Sequence, residues 1–291
     1  MQQSIAATKA GPKEISYSFS ARSLAGRTFI RSIENVTGRP RLLRMADGYE
    51  REVEAGRNFW EVMQERYGIS LDFVDGGLEN IPREGPLVVV ANHPYGILDG
   101  LAIGRILQLT RGDFKIIANT VFKKSKDLDK VILPIDFAET KEAQRLNIAT
   151  RKEALSYLAD GGAVAIFPGG TVSTAARPFD RAMDPPWKPF TARMIAKSQA
   201  TVVPVYFEGS NSRLFQVASH LHYTLRMALL ISEFEMRVGG PIRVRIGKPL
   251  PRAEIKARAS DARALMDYLR ERTYRLSPKP IRDVPYGLYL G

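Results

Sequence analysis

The sequence predicts an α/β fold, with a mixed, largely parallel sheet flanked by helices and an N-terminal amphipathic helical extension. Two observations support this fold class. Short apolar runs typical of buried strands recur along the chain, and stretches of helical periodicity separate them. Strands that alternate with helices favour parallel pairing, because a parallel crossover needs a long connection that is usually a helix.

The N-terminal extension, residues 1–68, is basic. Residues 1–15 have a composition typical of disorder. Between Tyr17 and Arg44 a single acid, Glu34, accompanies six arginines: Arg22, Arg27, Arg31, Arg39, Arg41 and Arg44. This excess of positive charge favours contact with an anionic surface.

Two helical patterns lie within this extension. The first predicts a short amphipathic helix that Gly38 and Pro40 would end. The second runs from about Glu50 to Tyr67 and ends at Gly68. The apolar residues that fall on roughly one face of the first helix are Leu24, Phe29, Ile30 and Ile33.

Residues 69–291 are expected to form one domain, because no repeat, low-complexity segment or linker interrupts them. The predicted strands are 71–74, 87–91, 115–118, 131–135, 163–167, 201–207 and 242–247. The predicted helices lie near 98–109, 141–159, 190–199, 214–231 and 252–275. Ligands of such sheets bind beyond the carboxyl ends of the strands, so the segments after 87–91 and 163–167 are the first places to look for a site.

Composition excludes several kinds of site. The 291 residues include no cysteine, which excludes disulfides, thiolate metal sites and a cysteine nucleophile. The formal net charge of +12 favours an anionic partner such as nucleic acid, a membrane surface or a phosphorylated substrate, or else it reflects a solvated basic surface. No stretch approaches the ~20 apolar residues of a membrane span. The first residues also lack the apolar core of a secretion signal.

The segment ANHPYGILDG places one of the three histidines, His93, at the end of a predicted strand. A turn built on Pro94 and Gly96 follows, and Asp99 comes six positions after the histidine. A neutral imidazole accepts protons near neutrality, and a carboxylate on its other nitrogen would fix its tautomer. The structural alternative is that His93 fills a buried polar site while Asp99 caps a helix.

The segment PGGTVST, residues 168–174, follows another predicted strand. Gly169 and Gly170 allow backbone amides to approach an anion or an acyl oxygen, and Thr171 adds a hydroxyl. An ordinary surface turn is the alternative. The segment is not a P-loop, and no G-x-S-x-G nucleophile elbow occurs in the chain. His220 and His222 do not form a metal-ligand pattern, so no metal is expected.

Three segments together resemble the glycerolipid, or lysophospholipid, acyltransferase family. NHPYGILD is similar to that family's Asn-His motif, FPGGTVS to its F-P-E-G-T-R-S motif, and TVVPVYFEG to its V-P-V strand. The order and separations agree over about residues 70–250. The run FEGSNSRLF, followed by RIGKP, is most similar to a hemolysin-like bacterial branch that includes relatives of ornithine-lipid synthesis.

The resemblance implies an O-acyltransferase that acts on a lysolipid. His93 would be the general base and Asp99 its orienting carboxylate. Acyl-CoA or acyl-carrier protein would be the acyl donor, with no other cofactor. The resemblance also implies these substrate-binding residues: Asn92, Gly169, Gly170, Thr171, Arg177 and Lys188.

Three departures from the family pattern bear on the acceptor. One extra residue separates His93 from Asp99, and Gly96 is the position expected to absorb it. Gly169 stands where the family has Glu, and Val172 where it has Arg. No counterpart of the second-motif Arg lies near LPIDF, residues 133–137, so a head group other than glycerol phosphate, such as lyso-ornithine lipid, fits well. The basic residues that could compensate are Lys123, Lys124, Arg177 and Lys188.

A lysolipid acceptor lies in a membrane, so the basic amphipathic N-terminus predicts peripheral association with anionic lipids on the cytoplasmic side. Two other functions stay open at this point. A nucleic-acid-binding protein would explain the charge, but no helix-turn-helix, zinc-finger or RNA-stacking signature occurs, so no nucleic-acid partner is expected. A catalytically inactive lipid-binding relative would explain Gly169 and Val172.

Overall fold

The computed structural model describes residues 15–21, 23–120, 126–136, 138, 140–279, 281 and 283–289. The expectation of disorder over residues 1–15 concerns almost only residues outside these ranges. Arg22, Lys123 and Lys124 also lie outside them.

The described residues contain a seven-stranded sheet, which confirms the predicted fold class and all seven predicted strands. Its strand order is β1-β9-β8-β2-β5-β3-β4, and every neighbouring pair is parallel except β8 and β9. The strands are β1 (Ser70–Phe73), β2 (Leu87–Ala91), β3 (Lys115–Asn119), β4 (Ile132–Ile135), β5 (Ala163–Ile166), β8 (Thr201–Phe207) and β9 (Pro241–Ile246). A separate antiparallel pair, β6 (Thr174–Ala175) and β7 (Ala182–Met183), was not predicted, because two-residue strands leave no alternation to detect.

The sheet is flanked by helices on both faces. Those of the predicted domain are α5 (Ile97–Arg111), α6 (Lys126–Val131), α7 (Lys141–Ala159), α8 (Pro189–Lys197), α9 (Arg213–Leu221), α10 (Tyr223–Glu235), α11 (Arg252–Lys256) and α12 (Ala262–Tyr274). The single helix predicted over 214–231 is wrong, because His222 is extended and its Nδ1 caps α10 by accepting from the Thr224 N–H. The single helix predicted over 252–275 is also wrong, because Asp261 caps a new helix there.

The described residues of the extension contain four α-helices: α1 (Leu24–Val36), α2 (Arg39–Ala46), α3 (Tyr49–Glu54) and α4 (Phe59–Arg66). The chain does break at Gly38, whose φ is +126°. Pro40, however, lies in the first turn of α2 rather than ending α1, because the first turn of a helix needs no N–H from that residue. The predicted helix over 50–67 is in fact two helices.

The predicted apolar face of α1 is divided between core and solvent. Ile30 is fully buried and Ile33 packs against the core, whereas Leu24 and Phe29 are exposed. α1 packs mainly on α10, and Trp60 of α4 packs in the same hydrophobic cluster as β2 and α5. The described residues of the extension therefore share a core with the sheet. The boundary at residue 68 stays a prediction.

The carboxyl ends of β2, β5 and β8 lie side by side near the middle of the sheet. The five residues of β2 are all buried, as are the four of β5. The segments that follow these strands begin at Asn92, Phe167 and Glu208, so the sheet brings together three loops that are distant in sequence. Among the described residues, no helix is both long enough and apolar enough to cross a bilayer.

We predict that Gly104→Ala destabilises the protein, because α4 packs closely against α5 at this point. A Cβ on Gly104 would lie 2.2 Å from a ring carbon of Trp60. We expect the free energy of unfolding to fall by ~1–3 kcal/mol in urea titrations, a typical cost of overpacking. The matched control is Gly100→Ala in the same helix, where a Cβ would meet no atom within 4 Å. There the stability should be unchanged or rise by up to ~1 kcal/mol. Equal effects of the two substitutions would contradict this packing.

Candidate active site

His93 follows β2 and stands at the carboxyl edge of the sheet. Its ring stacks on Phe167, with the ring centroids 4.4 Å apart, and its side chain is 19% exposed. Nδ1 faces into the protein, whereas Nε2 has no hydrogen-bond partner among the described residues. The imidazole therefore offers one nitrogen to the protein and one to a ligand.

Asp99 holds the buried nitrogen of His93. Its Oδ2 lies 2.9 Å from Nδ1, and the same oxygen accepts hydrogen bonds from two backbone N–H groups, those of Tyr95 (2.8 Å) and Gly96 (3.0 Å). Burial raises the pKa of the fully buried Asp99 carboxyl, and the contact with His93 and the two amides oppose that rise. Both interpretations of the sequence apply here, since Asp99 caps α5 and contacts the imidazole.

The turn between the two residues depends on Gly96. This residue has φ +81° and precedes the first residue of α5, which puts Asp99 in the first helical turn with its carboxylate directed back at His93. L-residues with a side chain rarely adopt this conformation. Gly96 thus forms the turn that returns Asp99 to His93, and its predicted role in absorbing the extra residue of the motif stays a prediction.

Asn92 joins the loop that carries His93 to the neighbouring strand β8 by hydrogen bonds. Its Nδ2 donates to the Phe207 carbonyl (2.9 Å), and its Oδ1 accepts from the Phe207 N–H (2.7 Å). The side chain is buried and both its polar atoms are engaged within the fold. Asn92 therefore positions His93, and its predicted contact with substrate stays a prediction.

The 168–174 loop lies beside His93, because the Ser173 N–H donates to the His93 carbonyl (2.8 Å). Gly170, with φ +69°, closes a tight turn and donates its N–H to the Phe167 carbonyl (3.1 Å). The N–H groups of Gly169 and Thr171 make no hydrogen bond to another described residue. The loop therefore has two backbone amides that are available to bind a ligand.

A buried arginine that the sequence analysis missed supports this loop. Arg226 of α10 donates to the Val172 carbonyl (2.7 Å), to the hydroxyls of Thr171 (3.1 Å) and Ser219 (2.9 Å), and to Thr174. Burial lowers its pKa to about 10, so it stays cationic near neutrality. No carboxylate of the described residues pairs with it. An arginine within the apolar run YTLRMALLI was the signal for such a residue.

A buried carboxylate, Asp184, was also missed. Its Oδ1 accepts from the His93 N–H (3.2 Å) and from the Ser173 hydroxyl (2.5 Å), and its Oδ2 accepts from the Trp187 indole N–H (2.8 Å). Its Cγ would lie 3.4 Å from a Cβ on Gly169. Asp184 therefore joins the two loops, and nothing local in the sequence distinguishes it.

Tyr17 brings the extension to the site. Its hydroxyl lies near Gly96, and burial together with the charges of Asp99 and Glu34 raises its pKa. Glu34 is itself fully buried and accepts from the Ser16 hydroxyl (2.6 Å) and the Tyr17 N–H (2.5 Å). These contacts anchor the segment before α1 against the His93 loop.

Arg177 and Lys188, the two basic residues predicted to bind substrate, lie apart from His93 and Asp99. Arg177 is exposed, between β6 and β7. Lys188 precedes α8; its N–H donates to the Pro168 carbonyl (3.0 Å), and burial lowers the pKa of its ammonium, which lies 5.9 Å from the Tyr289 ring centroid. Lys188 thus adjoins the 168–174 loop, and Arg177 does not touch it.

The other two histidines serve the fold. Nε2 of His220 lies 3.0 Å from the Ala175 carbonyl, and His222 caps α10. Among the residues that the structure describes, no group of three or more His, Cys, Asp or Glu side chains is placed to hold a metal ion.

Comparisons with known proteins identify the family. A family model described as Acyltransferase matches residues 49–280. The lyso-glycine lipid O-acyltransferase of Phocaeicola vulgatus is 28% identical to this chain over 193 residues, and that of Bacteroides thetaiotaomicron is 26% identical over 193 residues. Each match covers 62% of this chain, and the two matches cover 67% and 68% of the respective relatives. The crystal structure of the 1-acyl-sn-glycerophosphate (LPA) acyltransferase PlsC from Thermotoga maritima is 20% identical, with a TM-score of 0.44 over 89% of this chain and 83% of that one.

An imidazole beside a buried carboxylate at the carboxyl edge of a largely parallel sheet is an arrangement that many acid–base enzymes use. The matched family model then gives the reaction class, since it covers residues 49–280. The chain belongs to the acyltransferase family, and the resemblance inferred from its three motifs is confirmed at that level.

We predict that Asp184→Asn loosens the site, because either orientation of the amide turns its NH₂ group towards an N–H donor, that of His93 or that of Trp187. We expect the free energy of unfolding to fall by ~1–3 kcal/mol in urea titrations. The exposed Asp160→Asn is the control. In the double variant Asp184→Asn/Trp187→Phe one clash is gone, so the combined loss should be smaller than the sum of the two single losses. Strict additivity would show that Asp184 does not hold these groups.

Proposed function

We propose that this acyltransferase moves a fatty acyl group from acyl-CoA or acyl-carrier protein to the hydroxyl of a lysolipid. The observation that carries the proposal is the 2.9 Å contact between His93 Nδ1 and Asp99 Oδ2, which leaves Nε2 directed away from the carboxylate. A hydroxyl is a weak nucleophile until a base takes its proton, and Nε2 is the base that the site offers.

The proposed reaction needs no covalent enzyme intermediate. His93 Nε2 accepts the proton of the acceptor hydroxyl while the hydroxyl oxygen bonds to the thioester carbonyl carbon. The carbon–sulfur bond then breaks, and the imidazolium returns the proton to the departing thiolate. Asp99 stabilises the transient imidazolium through Nδ1, which is the classical function of a buried carboxylate behind a catalytic histidine.

The negative charge that forms on the carbonyl oxygen needs donors close to His93. We assign this role to the amides of Gly169 and Thr171, because their loop contacts the His93 carbonyl through Ser173 and neither amide makes a hydrogen bond to another described residue. Arg226 and Asp184 fix the loop from opposite sides. An oxyanion is stabilised best by donors that need not reorganise, so these buried contacts support the proposed assignment.

We further propose an acceptor with an amino-acid head group. Relatives that match this chain are lyso-glycine lipid O-acyltransferases. The sequence lacks the motif arginines that suit a glycerol phosphate, since Val172 stands at one such position. A lysolipid with a glycine or ornithine head group fits both facts. The inactive alternative is not favoured, because Asp99 lies 2.9 Å from the imidazole, where a catalytic histidine needs its carboxylate.

The proposal predicts acyl transfer that depends on His93. Purified protein should move label from acyl-CoA or acyl-carrier protein to one member of a panel of lyso-glycine lipid, lyso-ornithine lipid and lysophosphatidate. His93→Ala should lower kcat by ~10²–10⁴-fold, the usual contribution of a general base. His222→Asn keeps a helix-capping residue at a remote histidine and should leave kcat unchanged. Full activity of His93→Ala would exclude His93 as the base.

We also propose that the protein docks peripherally on anionic lipid, on the cytoplasmic side of the membrane. Support comes from α1, where Leu24 and Val36 are 81% and 85% exposed and Phe29 is 42% exposed. Arg27 is exposed on the same helix. Apolar side chains that insert and basic side chains that meet lipid phosphates are the two usual contributions to such binding.

This docking predicts flotation with anionic liposomes that weakens as salt rises. Leu24→Gln/Val36→Gln should lower the bound fraction about tenfold, because two inserting side chains are lost. Ile148→Gln is the matched control, since Ile148 is equally apolar and 58% exposed but lies on α7. An equal loss of binding in the control, or no binding of the unaltered protein at low salt, would contradict the assignment to α1.

A further inference from the structure

A cavity of about 670 Å³ opens at the same edge of the sheet as His93, and the proposed chemistry does not use it. Its walls come from four parts of the chain: the turn before β7, the end of β8 with the loop to α9, the first turns of α9, and residues 278–279. This volume falls within the range of small-molecule sites, roughly 300–1,000 Å³.

The cavity is structurally joined to the His93 loop. The Tyr95 hydroxyl donates to the carbonyl of Glu208, a cavity residue (2.6 Å). Gly209, with φ +115°, lies so near that hydroxyl that a Cβ on it would be 1.9 Å away. Asn92 adds its two hydrogen bonds to Phe207 directly before these residues. A ligand in the cavity would thus contact the loop that follows β8, which is fixed to the loop that carries His93.

Positive charge predominates in the cavity. Arg181 donates to the hydroxyls of Tyr206 (3.0 Å) and Ser277 (2.7 Å), and Arg213 donates to the Phe179 carbonyl (2.9 Å). Neither guanidinium pairs with a carboxylate of the described residues, nor does the third cation, Lys279. Of the two cavity acids, Glu208 lies 3.7 and 3.9 Å from Arg243 and Arg245, which do not line the cavity. Asp180 alone opposes the three cations.

The rim of the cavity is apolar at one point. Phe179 is 77% exposed, and the Arg213 guanidinium holds its carbonyl. An exposed aromatic ring beside a cationic cavity suits an amphiphile, whose charged end enters while its chain stays near the lipid. A fully hydrated anion would gain no stabilisation from contact with this ring.

We propose that this cavity binds the carboxylate of the lysolipid acceptor's amino-acid head group, with Arg181 and Arg213 as binding residues. The proposal rests on the proposed function and names the subsite for its acceptor. A guanidinium matches a carboxylate in a bidentate geometry, and two guanidinium groups line this cavity. The phosphates of the acyl donor are the competing anion, and the experiment separates the two.

The kinetic test compares KM for the acceptor with KM for acyl-CoA. In Arg181→Gln and Arg213→Gln, the acceptor KM should rise about tenfold or more, while the acyl-CoA KM stays within twofold. The exposed Arg193→Gln is the matched control. Both cavity arginines are exposed, so the unfolding midpoints of these variants should stay close to that of the unaltered protein. A rise in the acyl-CoA KM instead, or no change in either constant, would overturn the proposal.

A binding measurement separates this proposal from the proposed function. Isothermal titration would use N-octanoylglycine and its uncharged amide, N-octanoylglycinamide. The unaltered protein and Arg193→Gln should bind the acid at least tenfold more tightly than the amide, and Arg213→Gln should lose this preference. This result supports the subsite even if no lysolipid is acylated, in which case only the proposed reaction fails. Equal affinity for acid and amide in the unaltered protein would overturn the subsite even if acylation is observed.

Discussion

One carboxylate oxygen organises the site. Oδ2 of Asp99 receives the N–H groups of Tyr95 and Gly96 and faces Nδ1 of His93, so the start of α5, the turn and the imidazole are fixed by the same atom. The arrangement depends on the positive φ of Gly96, which directs the first helical turn back at the end of β2. Because Asp99 is fully buried, its ionised form needs all three of these contacts.

The opposite side of the site is held by two more buried charges. Asp184 accepts hydrogen bonds from the His93 N–H and the Ser173 hydroxyl, and Arg226 donates to the Val172 carbonyl and the surrounding hydroxyls. Neither forms an ion pair with another described residue, so each depends on neutral donors or acceptors for the stability of its charge. Such contacts are strongly directional, and they leave the 168–174 loop little freedom to reorganise during a reaction.

The features that could be predicted from the sequence are those with a local signal. The seven strands of the main sheet are short apolar runs, and the spacing of His93 and Asp99 around a glycine turn made their pairing one of two predicted arrangements, with helix capping by Asp99 as the other. Asp184, Arg226 and Tyr17 reach the site through contacts across many residues of chain, and no periodicity marks such contacts. The breaks at His222 and Asp261 were missed because a capping residue within a continuous helical pattern resembles an ordinary polar position.

The central claim is that Asp99 sets the proton of His93 on Nδ1 and leaves Nε2 as the accepting nitrogen. ¹⁵N NMR of the ring nitrogens tests it directly, since the chain has only three histidines and His220 and His222 can be assigned by substitution. At a pH where the ring is neutral, the account predicts a protonated Nδ1 and a bare Nε2 in the unaltered protein, with the preference reduced in Asp99→Asn. A proton found on Nε2 of the unaltered protein would contradict the account.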